Sequence, residues 1–216
     1  MSMKSRLRPE THSALPWRLH EIASDFQLVD AWALPAEGSR DQFPLLLSTV
    51  ANLPAPTKEE SPASAALFEI RRRLGKRFGW DDSKSTGPLP IPGCSETALR
   101  QRLPADLVPA SDDGFGARAN FRPVFVLDDE AAVEVSNALL HAILHLGWVE
   151  QHDGTYRGQM GIYVKHRGAK SRLYMQAIAP FRHLIVYPSL LRRIRKSWDA
   201  AVAEVASADN TQAVRR

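Results

Sequence analysis

The amino-acid sequence predicts an α+β fold in which antiparallel strands lead into one long C-terminal helix. Three observations carry that expectation. Residues 155–166 alternate with period two: Tyr156, Met160, Ile162 and Val164 fall on one face, and Arg157, Gln159, Tyr163 and Lys165 on the other. That is the pattern of a half-buried strand. Asp153-Gly154 just before it is a hairpin signal, so residues 139–149 should be its antiparallel partner. Residues 170–206 then change period. Leu173, Ala177, Phe181, Leu184, Pro188, Leu191, Ile194, Trp198 and Val202 recur every three to four positions, as one apolar stripe on an amphipathic helix. Pro180 and Pro188 should kink or split it, because each lacks a backbone donor and crowds the preceding turn.

The other elements follow in chain order. Residues 1–14 are polar and read as a flexible start, 15–206 as a single domain, and 207–216 as a disordered tail. A short helix is expected around 19–24, then an extended piece over 26–34 that ends at Pro35. Residues 44–53 form an apolar run that fits either helix or strand. Pro54, Pro56 and Pro62 make 54–62 a loop. Ser61-Pro62 opens a helix, with Ser61 as cap and Pro62 at the first helical position. Leu67, Ile70, Leu74 and Phe78 share one face of it, and Gly79 ends it. A Pro- and Gly-rich loop follows over 81–94, which Trp80 could turn into a pocket cover. Ser95 caps a short helix toward Leu103, residues 106–120 return to loop, and 121–127 are apolar and β-branched before an Asp128-Asp129 turn.

Hydrophobic residues make up 44% of the chain and charged residues 24%, which is enough apolar content for a real core. No run of about 18 apolar residues exists, which argues against a transmembrane helix, and the basic N-terminus lacks the apolar stretch of a secretory signal. Cys94 is the one cysteine, so an intrachain disulfide is excluded and a reducing cytoplasm is the expected location. The formal net charge is +4. Its distribution matters more than its sum: residues 160–196 hold nine basic residues and no Asp or Glu. Such a run is either a solvated helix face or a surface for phosphate, nucleic acid or anionic lipid.

The segment Tyr174-Met175-Gln176-Ala177-Ile178-Ala179-Pro180-Phe181-Arg182-His183-Leu184-Ile185-Val186-Tyr187-Pro188, with His145-Leu146-Gly147-Trp148-Val149 before it, resembles an uncharacterised bacterial family of unknown function. That family is grouped with the START-like, or birch-pollen-allergen-like (SRPBCC), helix-grip superfamily. The resemblance spans residues 120–200 and thins out over 15–110. It implies a curved antiparallel sheet wrapped around a long C-terminal helix, with an apolar cavity between them. Many members of the superfamily bind lipids, hormones or polyketide-like molecules, and a minority are enzymes.

His141 and His145 are the sharpest candidates for chemistry. On a helix their i, i+4 spacing could share a metal. On a strand they share a face but sit about 13 Å apart, at about 3.3 Å per residue, too far for one ion. The Glu of a zincin motif is also missing. Asn137, His141 and His145 would instead be polar groups on an apolar strand face, either orienting a ligand or satisfied within the core. Arg195 projects near Leu184, Leu191 and Trp198, where it could reach a ligand carboxylate or phosphate or could snorkel to solvent. Arg182 and His183, beside Pro180, could shape a cavity mouth. Cys94 near a helix start has no assignable His partner, Gly114-Phe115-Gly116 completes no dinucleotide fingerprint, and no P-loop or nucleophile elbow occurs.

Three functional readings follow. The first is a START-like protein binding an apolar or amphipathic small molecule between sheet and helix, through Asn137, His141, His145, Arg182 and Arg195. The second is an enzyme acting on a lipid-like or cyclic substrate in the same cavity, with His141 or His145 as general base. The third is a basic surface of Arg172, Arg182, Arg192, Arg193 and Lys196, for which a peripheral anionic membrane ranks ahead of nucleic acid. No cofactor or metal is expected.

Overall fold

The computed structural model describes residues 5–54, 97–112, 115, 121–136 and 140–214. The helix expected after Ser61-Pro62, the 81–94 loop with Trp80 and Cys94, and Asn137 lie outside the described residues. The fold is α+β and helix-grip-like, with one open antiparallel sheet of five strands in the order β1-β5-β4-β3-β2. The strands are β1 Gln27–Gly38, β2 Arg122–Val126, β3 Glu130–Ser136, β4 Leu140–Glu150 and β5 Tyr156–His166. β2 to β5 form a meander, and β1 pairs antiparallel with β5. The C-terminal helix comprises α4 Ala169–Phe181, a π turn Arg182–Val186, and α5 Tyr187–Val214. It therefore continues past residue 207, where the sequence suggests a tail.

The β4–β5 hairpin closes as the Asp-Gly pair demands. Gly154 adopts φ 79°, in the left-handed region that favours glycine. Asp153 Oδ1 accepts bonds from the backbone N–H and the hydroxyl of Thr155, at 3.0 and 2.6 Å. β1 runs on through Pro35 to Gly38 instead of stopping at the proline. Pro35 falls in a register irregularity between Ala33 and Glu37, where the ladder asks no N–H of it.

Both faces of the sheet are covered. On one face, Trp32 and Leu34 of β1, Leu146 and Trp148 of β4 and Met160 of β5 pack against Tyr187, Leu191, Ile194 and Trp198 of α5. The apolar run after Gln42 resolves as α3, Phe43–Ala51, with Pro44 in its first turn, and Phe43, Leu46 and Leu47 complete this core. The other face is covered by the N-terminal arm. There α1 (Pro9–Ser13), α2 (Leu19–Ile22) and a 3₁₀ turn (Leu99–Arg102) bring Trp17, Leu19, Ile22, Phe26 and Leu99 onto Ile143 and Tyr163.

Residues 5–14, read in the sequence as a flexible start, lie against the sheet. His12 is fully buried, Leu7 N–H bonds to Ala31 O at 2.9 Å, and Arg6 bridges to Trp32 on the edge of β1. The arm lies flat because β4 and β5 offer glycines beneath it. A Cβ at Gly147 would overlap the Trp17 ring, and one at Gly161 would meet the His12 ring at 2.5 Å.

The single apolar stripe expected along the C-terminal helix is also corrected. Leu191, Ile194 and Trp198 are buried, whereas Leu173, Phe181 and Leu184 are exposed. In α4 the inward positions are Ser171 and Met175. The break is the π turn, which inserts an extra residue and rotates the following helix by about 100° relative to the preceding one. Pro188 explains its position, since the N–H that would bond the Leu184 carbonyl in a regular α-helix does not exist. Among the described residues no helix is long and apolar enough to cross a membrane.

Candidate functional site

Asp30 sits in β1 between Val29 and Ala31, on the face that meets the C-terminal helix, and is 1% exposed. A carboxylate buried in an apolar strand needs cations or donors around it. The π turn and the first residue of α5 supply them. His183 Nε2 is 2.6 Å from Asp30 Oδ1, Tyr187 OH donates to Oδ2 at 2.7 Å, and Arg182 Nη2 lies 3.3 Å from Oδ2. Burial, then the Asp30 charge, pushes the Tyr187 phenol well above its ordinary range, so its hydroxyl stays protonated as the donor. The wider π turn carries Arg182 and His183 on consecutive residues toward one strand position.

This cluster forms one wall of an open cleft of about 310 Å³ between the β1–β5 edge and α4. Its polar lining includes Asp30, His166, Arg172, Arg182 and His183 beside two glutamines, Gln27 and Gln176, and its apolar lining is Val29, Met175 and Ala179. Burial, followed by the neighbouring Arg172 charge, lowers the His166 pKa. Arg182 is only partly satisfied. Nη1 donates to Met175 Sδ at 3.5 Å, a weak acceptor, and Nε is buried with no hydrogen-bond partner among the described residues. Buried donors left in that condition cost about 1–3 kcal/mol each. Two arginines against one carboxylate, with two histidine rings beside them, make the cleft a place for an anionic group beside apolar atoms.

The sequence-predicted residues do not come together. Arg182 lines the cleft. Arg195 is exposed on α5, one residue from buried Ile194, and is not among the lining residues. Asn137 lies outside the described residues. His141 and His145 are on the opposite face of the sheet, under the N-terminal arm, so they share no cavity with Arg182. Each is the partner of a glutamate on β3. His141 Nε2 is 2.8 Å from Glu134 Oε2, and His145 Nε2 is 2.9 Å from Glu130 Oε2. Both pairs are diagonal across the ladder, since His141 stands opposite Ser136 and His145 opposite Ala132.

The His145 pair extends into a buried chain. Its Nδ1 is 3.2 Å from His12 Nε2, and His12 Nδ1 is 2.9 Å from Gln159 Oε1. Gln159 Oε1 accepts from His12 Nδ1, which leaves His12 Nε2 to accept from His145 Nδ1, and His145 Nε2 faces the glutamate. Burial raises the Glu130 pKa, consistent with the third proton residing between Glu130 and His145. Glu130 Oε1 also accepts the Arg18 backbone N–H at 2.6 Å. These histidines are therefore satisfied core groups that fasten the arm. Among the described residues no group of three or more His, Cys, Asp or Glu could hold a metal ion.

Asp30 was the residue that sequence reasoning missed, and its signal was a lone carboxylate in an apolar strand. Glu130 and Glu134 were missed too. Their spacing of four repeats that of His141 and His145, and an antiparallel register converts equal spacings into two equivalent pairs.

Fold and site together define an α+β protein with a helix-grip-like layout, in which a C-terminal helix broken by a π turn carries a basic cleft at the sheet edge. The chain belongs to the family described as Protein of unknown function (DUF2867), whose model matches residues 22–189. That span includes Asp30, Arg182, His183 and Tyr187 and stops short of His12. No curated protein and no solved structure matches the chain.

Proposed function

We propose that this protein binds an amphipathic small molecule with an anionic group, in the cleft beside α4, as a member of the START-like superfamily. The observation that carries this reading is Arg182, partly buried on the cleft wall, with an Nε that has no partner among the described residues and a thioether as its Nη1 acceptor. A phosphate or carboxylate would give it the acceptor it lacks. Val29, Met175 and Ala179 would take the apolar part. The cavity implied beneath the helix moves to its edge, because Trp32, Trp148, Leu191 and Trp198 fill the space where α5 crosses the sheet. Decyl phosphate and decanol are matched probes below their aggregation limits. Decyl phosphate should raise the melting temperature, decanol should do so less, and Arg182→Met should abolish the difference. Equal responses to the two, or none, would remove the reading.

A second reading, an enzyme acting on the same molecule, draws on His183. Its ring is 23% exposed on the cleft wall and is oriented by Asp30 at 2.6 Å, the relation a general base needs. In that case His183→Asn would abolish turnover while leaving decyl phosphate binding intact.

A further inference from the structure

Three large apolar side chains that stay exposed lie on one short stretch: Leu173 at 68%, Phe181 at 49% and Leu184 at 76%. With Ala177 they follow at spacings of four, four and three, so they form one ridge along α4 into the π turn. Ser171 and Met175 take the inward positions, which leaves this ridge facing away from the sheet. Lys170 is exposed three residues before Leu173, on the same side, and Arg172 is exposed beside it. Arg192, Arg195 and Lys196 are exposed on α5. Residues 160–196 contain no Asp or Glu, so every formal charge that this stretch of the chain itself carries is positive.

We propose that this ridge docks the protein on an anionic lipid surface, with α4 lying in the interfacial plane. Leu173, Phe181 and Leu184 enter the boundary between headgroups and acyl chains, while Lys170 and its neighbours meet anionic headgroups. Charge complementarity selects this partner, because the exposed charges of the helix that carries the ridge, Lys170 and Arg172 nearest to it, match an anionic leaflet. The ridge is convex and one helix wide, which is the shape of an interfacial helix. A nucleic-acid surface would use the cations but leave the two leucines and the phenylalanine in water. This inference does not rest on the cleft reading.

The experiment is co-sedimentation of the whole chain with phosphatidylcholine vesicles, with and without phosphatidylserine. Binding is expected with phosphatidylserine and should weaken as salt rises. Leu173→Ser/Leu184→Ser should reduce the partition by about tenfold, and Lys170→Glu by about fivefold. Both changes are at exposed sites, so melting temperatures should stay near wild type. The decyl phosphate response should survive in the double variant, which separates failure of docking from failure of the cleft reading. The proposal is overturned by absent binding to phosphatidylserine vesicles or by undiminished binding of the double variant. Preference for duplex RNA over vesicles would overturn it as well, as would self-association of the wild type that the double variant abolishes without any vesicle binding.

Discussion

His183 Nε2 lies 2.6 Å from Asp30 Oδ1 and ties the π turn to the middle of β1 across the helix–sheet interface. Tyr187 OH and Arg182 Nη2 converge on the other carboxylate oxygen, so one buried anion holds three donors from the helix. Asp30→Asn keeps the shape but turns one acceptor oxygen into a donor NH₂ facing other donors. We expect a loss of about 2–4 kcal/mol in urea unfolding, the range for breaking a buried charged network whose partners keep some solvent. A loss under about 1 kcal/mol would mean that the apolar contacts around Trp32 and Tyr187 hold the π turn without the carboxylate.

Acidification should loosen the N-terminal arm. Burial, then the His145 charge, lowers His12 to about 4, and burial lowers His145 to about 3, against 6.5 for an ordinary histidine. Below pH 6.5 the unfolded chain takes up protons that the folded chain refuses, so stability falls as pH falls, down to about 4 for one and about 3 for the other. Glu130 is raised, so its contribution has the opposite sign: it is present below its unfolded pKa and lost as pH rises through its folded one. Two histidines outnumber one carboxyl, so the net effect below pH 6.5 is destabilisation, about 1.4 kcal/mol per pH unit for each histidine in excess. Urea midpoints at pH 7 and pH 5 check this, and His12→Asn should flatten the dependence by one proton. A midpoint that does not fall toward pH 5 would count against buried neutral histidines.

Much of the C-terminal half could be read from residues 121–206, because strand alternation, Asp153-Gly154 and the helical period each show in local sequence. β3 escaped because Glu130–Ser136 has both faces covered, which erases the alternation that marks a half-buried strand. Residues 5–14 escaped because their buried anchor is His12 and the tie of Leu7 to β1 is a backbone bond, neither of which raises apolar content. The site was half legible. Arg182 and His183 stood out beside Pro180. Asp30 is 153 residues from His183, and only the β1–β5 pairing brings them together. His141 and His145 lie on a strand, as the reading of 139–149 expects, yet the sheet face they occupy depends on which covering segment lies where, and local pattern does not encode that.

Gly147→Ala tests how closely the arm must lie. Its Cβ would overlap the Trp17 ring, whose Nε1 donates to His12 O at 2.8 Å, so accommodating it lifts α1 and the His12 contacts together. We expect a loss of about 1–3 kcal/mol, as for overpacking in a filled site. Limited proteolysis should also cut faster within residues 5–26, the span of the arm. Loss of stability without faster cleavage there would show that the sheet, rather than the arm, absorbs the strain.

The π turn makes a sharper prediction, because it divides residues that one helical stripe would treat alike. Leu173 and Leu191 both belong to the three-to-four spacing of the C-terminal helix, yet Leu173 is 68% exposed and Leu191 is 2% exposed. The inserted residue changes the phase between them, and Asp30 fixes that phase by gripping His183 and Tyr187 at the turn. Leu191→Ala should therefore cost about 2–5 kcal/mol, since it opens a cavity beside Trp32, Ile194 and Trp198. Leu173→Ala should stay within about 0.5 kcal/mol, as surface changes do. Similar losses at the two sites would mean that the helix keeps a single stripe in solution and that the π turn is not its stable form. A large loss at Leu191 alone would place Leu173 and the apolar ridge of α4 outside the core that holds the fold together.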